Sequence, residues 1–312
     1  MSVCHLYDCF NFCLRSELPL HELAPAVAST FPAVEVRFDR LPSPVPDGEL
    51  SHGIRVTGDT VFLTVKGIAQ YRIRAGREIV VDPVPGGSER NVRLFLLGSA
   101  LGILCHQRGL LPLHANAIVV GGAAYAFAGP SGAGKSTLAA HFARAGYEVL
   151  CDDVCVISFD EAGSPSVWPG VPRLKLWGDA AVAFGHDRSS LEKAIEGLDK
   201  YYVPLASAAP PRPIPFRRLY LLGKSPDQAV LGVSQMRGRR AMAVAMSHTY
   251  RHGYLGPMGL LEQNFRQCAS LITSAEVYDV RRAWGYEVLE EQANLLEEHI
   301  LGDRGSTAFP VR

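Results

Sequence analysis

Gly129-Pro130-Ser131-Gly132-Ala133-Gly134-Lys135-Ser136, with Thr137 next, has the spacing G-x-x-x-x-G-K-[ST] of a phosphate-binding loop. Glycines let the backbone curl until successive N–H groups converge on phosphate oxygens, and a helix opening at the end of the loop adds its positive partial charge. Lys135 would then neutralise the β- and γ-phosphates of a nucleotide, and the Ser136 hydroxyl would hold Mg²⁺. Gly129, Ser131, Gly132, Ala133, Gly134, Lys135, Ser136 and Thr137 are therefore the candidate nucleotide-binding residues. The bland alternative is a glycine turn with an exposed lysine.

Asp152-Asp153 follows the next apolar run. In a parallel or mixed α/β sheet, strand C-termini lie beside a phosphate loop, so these carboxylates are placed to coordinate Mg²⁺ or to accept a hydroxyl proton. Adjacent strand residues point to opposite sides, so one of the two should face the reaction and the other should orient metal-bound water or cap a turn. His114, just before another apolar run, reads on its own as a hydrogen-bonded core or turn histidine rather than a catalyst.

The elements that must position these groups are legible in outline. Ala115 to Val120 and Ala123 to Ala128 flank Gly121-Gly122 and read as a β-hairpin feeding the loop. Leu138 to Ala145 reads as the helix after the loop, stopped by Gly146, and Tyr147 to Leu150 as the strand that delivers the acidic pair. Upstream, Val34, Val36 and Phe38 alternate with charged residues, and Val61 to Val65, Ala69 to Ile73 and Ile79 to Val81 form short runs separated by turns; together they predict a small antiparallel sheet. Pro83-Val84-Pro85-Gly86-Gly87 ends it. From Asn91 to about Gln107, leucines at helical spacing predict a buried connecting helix in which Gly98 and Gly102 permit close packing. Further on come an irregular stretch with Pro169 to Pro172, a helix near Asp179 to Phe184, a proline-rich linker from Ala208 to Pro215, a strand at Leu219 to Leu222 and a closing helix from Tyr286 to Ile300.

The 312 residues carry 31 basic and 31 acidic side chains, so no global field draws the chain to nucleic acid or acidic lipid. The longest apolar run, Leu94 to Cys105, falls short of the roughly 20 residues that span a bilayer, and the N-terminus lacks the pattern of a secretory signal. Seven cysteines, two of them beside the acidic pair, fit reduced thiols of a cytoplasmic protein better than a disulfide framework. Cys4, His5, Cys9 and Cys13 lack common zinc spacing and read as strand residues. Arg237, Arg239 and Arg240 form a basic cluster that fits a substrate-facing loop or a solvated turn equally well.

The order His114, hairpin, phosphate loop, helix, Asp152-Asp153 resembles the HPr serine kinase/phosphorylase family. His114 lies 21 residues before Lys135 and Asp153 lies 18 after it, as in that family. The resemblance implies an α/β P-loop kinase core of the HPr kinase and phosphoenolpyruvate carboxykinase type over residues 89–303, behind a β-rich N-terminal domain at 1–88 and before a tail at 304–312. It implies ATP and Mg²⁺ as cofactors, Asp153 as proton acceptor, His114 close to the phosphates, Lys135 and Asp152 as further catalytic groups, and Ser136 with Asp153 as metal ligands. Ser16-Glu17-Leu18-Pro19, Leu97-Gly98-Ser99-Ala100, Gln107-Arg108-Gly109 and Pro172 to Trp177 are similar to the HPr-kinase-related kinases that tailor lasso peptides by phosphorylating a precursor's C-terminal serine. Lys175 occupies the position that best matches the family's downstream metal-binding glutamate, so the resemblance supplies no second metal ligand. The expected partners are a nucleotide and a precursor peptide or small protein, with a homo-oligomer left open; neither nucleic acid nor membrane is expected. A nucleotide-regulated binding module and a small-molecule kinase are the alternatives, whereas a eukaryotic-type kinase is excluded by the lack of H-R-D and D-F-G sequences.

Overall fold

The computed structural model describes residues 4–42, 53–205, 209, 211–225, 232–283 and 285–302. The expected tail at 304–312 lies outside these residues, as do Ala208 and Pro210 of the expected proline-rich linker.

Seven strands build the N-terminal sheet: β1 (His5–Cys9), β2 (Phe12–Ser16), β3 (Ala33–Phe38), β4 (Ile54–Thr57), β5 (Thr60–Val65), β6 (Ala69–Arg74) and β7 (Glu78–Pro83). Their order is β1-β2-β3-β7-β6-β5-β4. The alternation at Val34 and Val36 does bury those two side chains. The sheet is mixed rather than antiparallel, because β3 pairs parallel to both β2 and β7. Short glycine turns reveal the β5-β6-β7 meander locally, but parallel pairing depends on long connections that strand periodicity does not encode.

The connecting helix is one helical run: α1 (Glu89–Phe95), a wider π turn at Leu96–Ala100, and α2 (Leu101–Gln107). Its inner face shares a core with the N-terminal sheet, where Leu96, Leu101 and Leu104 meet Phe12, Ile54 and Tyr71. The same core takes in Val154 and Val156, just past the acidic pair, so the sheet, the helix and the start of the second unit are packed as one body of side chains. The glycines do remove side chains at a close approach: a Cβ on Gly102 would sit 2.8 Å from the Tyr250 ring, and one on Gly98 would sit 3.2 Å from its hydroxyl.

The second sheet is formed by β8 (Leu111–Leu113), β9 (Ala115–Val120), β10 (Ala123–Ala128), β11 (Glu148–Cys151), β12 (Cys155–Phe159), β13 (Pro165–Trp168), β16 (Ile214–Lys224), β17 (Gly232–Met236) and β18 (Glu276–Arg282); β14 (Arg173–Trp177) and β15 (Lys200–Pro204) form a separate ribbon. Helices α3 (Lys135–Arg144), α4 (Gly178–Ala183), α5 (Gly238–Ser247), α6 (Leu261–Ser274) and α7 (Leu289–Leu301) accompany them. The order β11-β9-β10-β16 continues into β13-β12-β8, and β18 pairs with β16 and β17. Three central strands, β10, β16 and β18, run parallel, and β9–β10 is the expected hairpin. The chain is thus mixed α/β with several sheets. No helix among the described residues is long and apolar enough to cross a membrane.

Boundaries differ from the sequence reading where tertiary contacts decide them. The helix after the loop starts at Lys135 itself, α7 starts at Leu289 rather than Tyr286, and β16 reaches back to Ile214 because it pairs with β13 before it meets β10. Gly146 does end the first of these helices, with φ at 90°.

Because Gly102 faces the Tyr250 ring, Gly102→Ala should destabilise the fold by about 1–3 kcal/mol despite the better helix propensity of alanine. Equilibrium denaturation checks this; an alanine variant as stable as the parent would show that the ring yields freely.

Candidate active site

The loop leaves β10 at Ala128 and opens directly into α3. Gly129 has φ at 151°, and a Cβ there would lie 2.7 Å from the Leu222 carbonyl of β16, so only glycine fits where the loop crosses the neighbouring strand. Gly132 and Gly134 also have positive φ, at 80° and 77°. Gly134 caps α3 with no side chain over the first turn, which leaves the helix N–H groups open to an anion.

Lys135 is buried at the helix start, and its ammonium donates to the Gly129 carbonyl at 2.9 Å and the Pro130 carbonyl at 3.2 Å. Burial lowers its pKa, opposed by the Asp153 and Asp152 carboxylates. Asn116, fully buried on β9, donates its amide to the Lys135 carbonyl and so ties the hairpin to the helix start.

β11 ends at Cys151, and Asp153 takes a left-handed backbone conformation with φ at 66°. A non-glycine residue held there is strained, and the two carboxylates have different partners. Asp152 turns to the start of α3: the Ser136 hydroxyl donates to its two oxygens at 2.9 and 3.2 Å, and the Lys175 backbone N–H donates to it at 2.8 Å. Asp153 turns instead to the Lys175 ammonium, 2.7 Å away. Of the expected metal pair, Ser136 has its hydrogen bond to Asp152, while Asp153, at its left-handed φ, is bonded to Lys175; Asp152 is therefore a further candidate carboxylate beside Ser136.

The environments push the two carboxyls apart. Burial, then the charge of Asp153, raises Asp152 to about 6. Burial also acts on Asp153, but the Lys175 and Lys200 ammoniums and His114 outweigh it and hold the carboxyl below the usual carboxylate range. Lys175 is in turn held above its ordinary value by Asp153 against the effect of burial. The side chains of Asp153 and Lys175 remain 20% and 21% exposed, so the pair can be reached from outside.

His114 sits between β8 and β9 with Nδ1 3.0 Å from the Asp153 carbonyl. A carbonyl only accepts, so Nδ1 carries the proton, and the ring buttresses the strained peptide. Burial, followed by the Lys135 charge, lowers its pKa, which favours the neutral ring. The structure thus brings together His114, Lys135, Ser136, Asp152 and Asp153.

Ser136 and Asp152 supply hard oxygen donors, and the Asp152 carboxylate has no ammonium or guanidinium of its own against it among the described residues. That donor set fits Mg²⁺. Among the described residues, no group of three or more His, Cys, Asp or Glu side chains gathers as a metal cluster. The seven cysteines are free thiols.

Two further residues carry no sequence signal. Arg282, at the end of β18, is buried and donates to the Ala133 carbonyl in the loop at 2.7 Å, while its Nε has no hydrogen-bond partner among the described residues. It lines a 160 Å³ cavity with Gly132, Thr137, Tyr286 and Leu289, whose lining does not include the acidic pair. Lys175, noted in the sequence only for standing where a glutamate was expected, proves to be the cation of Asp153. The Arg237, Arg239 and Arg240 cluster lies at the exposed start of α5, and Arg237 bonds Gln235 there.

No protein-family model and no curated protein matched the chain. Among solved structures, the HPr(Ser) kinase/phosphatase from Coxiella burnetii is similar at 15% identity, covering 62% of this chain and 93% of that one with a TM-score of 0.32.

Asp152 must be ionised to hold a cation, and its carboxyl is pushed up to about 6. The dissociation constant for Mn²⁺, used alone as a paramagnetic stand-in for Mg²⁺, should therefore be flat above about pH 7 and rise by about tenfold per unit below about pH 6. Water-proton relaxation measures it, and a profile in Asp152→Asn identical to the parent's would remove Asp152 from the cation site.

Proposed function

We propose that the chain is an ATP- and Mg²⁺-dependent kinase that transfers the γ-phosphate to a serine or threonine hydroxyl of a peptide. The observation that carries this reading is the divergence of two adjacent carboxylates beside a phosphate loop, one on the loop's Ser136 and one turned outward with Lys175. A module that only bound nucleotide would have no need of the second carboxylate.

The triphosphate would lie on the open N–H groups of the loop and of α3, with Lys135 as its ammonium partner and Arg282 as a second cation beside the loop. The cavity bounded by Arg282, Tyr286 and Leu289 gives the nucleoside end a place. Mg²⁺, held by Ser136 and Asp152, would supply charge neutralisation on the phosphates. The acceptor hydroxyl would attack the γ-phosphorus in line while the bond to the ADP oxygen breaks, and Asp153 would orient that hydroxyl and take its proton. Lys175 keeps Asp153 ionised for this purpose, and His114 holds its peptide in place.

The cavity that touches Asp152 and Asp153 directly has a volume of only 30 Å³, with Phe10 of the N-terminal sheet and Leu97 of the connecting helix in its wall. It admits the tip of a side chain more readily than a whole metabolite, which favours a hydroxyl presented by a peptide over a small-molecule acceptor. The likeness to lasso-tailoring kinases makes the C-terminal serine of a precursor peptide the acceptor to try first, in the cytoplasm. Mass spectrometry after incubation with ATP, Mg²⁺ and either the precursor or HPr protein tests this; phosphate on HPr alone would reject the tailoring role, and phosphate on neither would reject the peptide acceptor.

Lys135→Ala should lower transfer by at least about a hundredfold, because the transferred group loses its main side-chain cation. Asp153→Asn should keep ATP binding and lose transfer, since the amide preserves shape but accepts no proton. Single-turnover kinetics with ATP binding measured alongside checks both, and near-parental transfer in either variant would dismantle the assignment.

A further inference from the structure

Arg173 and Lys175 share one face of β14, two residues apart. Lys175 serves Asp153, whereas Arg173 lines a 540 Å³ groove between the N-terminal segment around Glu22 and the β14–β15 ribbon. Three buried polar atoms in residues lining that groove have no hydrogen-bond partner among the described residues: Glu22 Oε2, Arg173 Nε and Tyr202 Oη. Glu22 and Tyr202 are only 6% and 5% exposed, so these are built features of the interior rather than surface side chains at rest.

The rest of each side chain is held. Glu22 Oε1 accepts from Arg93 Nε at 2.8 Å and lies 3.5 Å from an Arg173 Nη2 nitrogen, and the Arg173 guanidinium stacks 3.2 Å over the Tyr202 ring. What remains unmatched is one acceptor, one donor and one hydroxyl able to play either part. A simple anion would meet the Glu22 carboxylate, and a simple cation would meet Arg173. A peptide unit answers both, its N–H donating to Glu22 Oε2 and its carbonyl accepting from Arg173 Nε or Tyr202 Oη. The three atoms are sheltered from water, so an incoming chain reaches them by parting the Glu22–Arg173 contact, which at 3.5 Å is longer than a good charge-assisted hydrogen bond, and replacing it with shorter bonds. Leu23, Leu191 and Leu205 supply apolar walls for its side chains.

Arg173 and Tyr202 also line the cavity at the acidic pair, so groove and reaction centre are contiguous. Residues two apart on a strand are separated by about 7 Å, and an extended chain advances about 3.3 Å per residue. We propose that Glu22, Arg173 and Tyr202 form a subsite that reads the main chain of the acceptor peptide about two to three residues from its reacting hydroxyl. This inference rests on the kinase reading for its substrate, but binding can be measured without chemistry.

The probe is a library of end-blocked peptides, each with one serine flanked on both sides by randomised residues, offered to the full chain without nucleotide. Bound peptides are then resynthesised with single N-methylated amides. Tyr202→Phe, which keeps the stack and removes the hydroxyl, should weaken binding by about fivefold. With the unaltered protein, N-methylation at one position two or three residues from the serine should weaken it by about tenfold or more, and methylation farther away should not. Should the phenylalanine variant fold poorly, the methylated peptides decide alone. Failure of the library to bind, or binding indifferent to the position of methylation, overturns the subsite. Transfer of phosphate to the same peptides is scored separately: transfer with indifferent binding removes the subsite and spares the kinase, whereas position-dependent binding without transfer supports the subsite and removes the kinase.

Discussion

Two neighbouring carboxylates sit together at the end of one strand in a largely enclosed place, and the surrounding structure is organised by the need to keep them apart and charged usefully. Two buried carboxylates this close repel each other, and the charge of Asp153 does raise the Asp152 carboxyl. With Asp153 in a left-handed conformation, the two side chains take different partners, Ser136 for Asp152 and Lys175 for Asp153. Lys175 then stabilises Asp153 as an anion, while Asp152, bonded to a hydroxyl and a backbone N–H and paired with no ammonium among the described residues, is the more easily protonated of the two. Each of these partners comes from a different part of the fold: Ser136 from α3, Lys175 from β14, His114 from the junction of β8 and β9.

The glycine-rich loop at residues 129–134 beside the acidic pair is held from several sides. Asn116 holds the start of α3 to the hairpin, Arg282 holds the loop to the end of β18, and Gly129 lets the loop pass close to β16. The four strands that meet here, β9, β10, β16 and β18, are the contiguous centre of the second sheet. Strands thus carry the groups that hold the loop, Asn116 on β9 and Arg282 on β18, while Lys135 and Ser136 open α3 and the acidic pair follows the end of β11.

The N-terminal sheet takes part in the site through packing. Phe10 and the connecting helix close one wall of the cavity at the acidic pair, and Glu22 places its carboxylate against Arg93 of that helix and Arg173 of the ribbon. The π turn at Leu96–Ala100 and the bare surface of Gly98 and Gly102 bring this helix against Tyr250, whose ring lies 6.0 Å from that of His114.

Local residue chemistry by itself determined the glycine-rich loop, the hairpin before it, the helix after it and the acidic strand end, because each is written in contiguous residues whose glycines, alternation or helical spacing act over a few positions. It also determined that Gly98 and Gly102 mark a close approach, though not to what. Only the tertiary structure decided that the N-terminal sheet is mixed, that Asp152 rather than Asp153 meets Ser136, and that Lys175, Arg282 and Asn116 belong to the site. Strand alternation predicts that neighbours diverge, but the side on which each points is set by a backbone turn that a non-glycine residue adopts only under tertiary constraint. The partners of a buried charge come from distant segments, and their pairing energy is a property of the assembled, low-dielectric surroundings, which no local spacing contains.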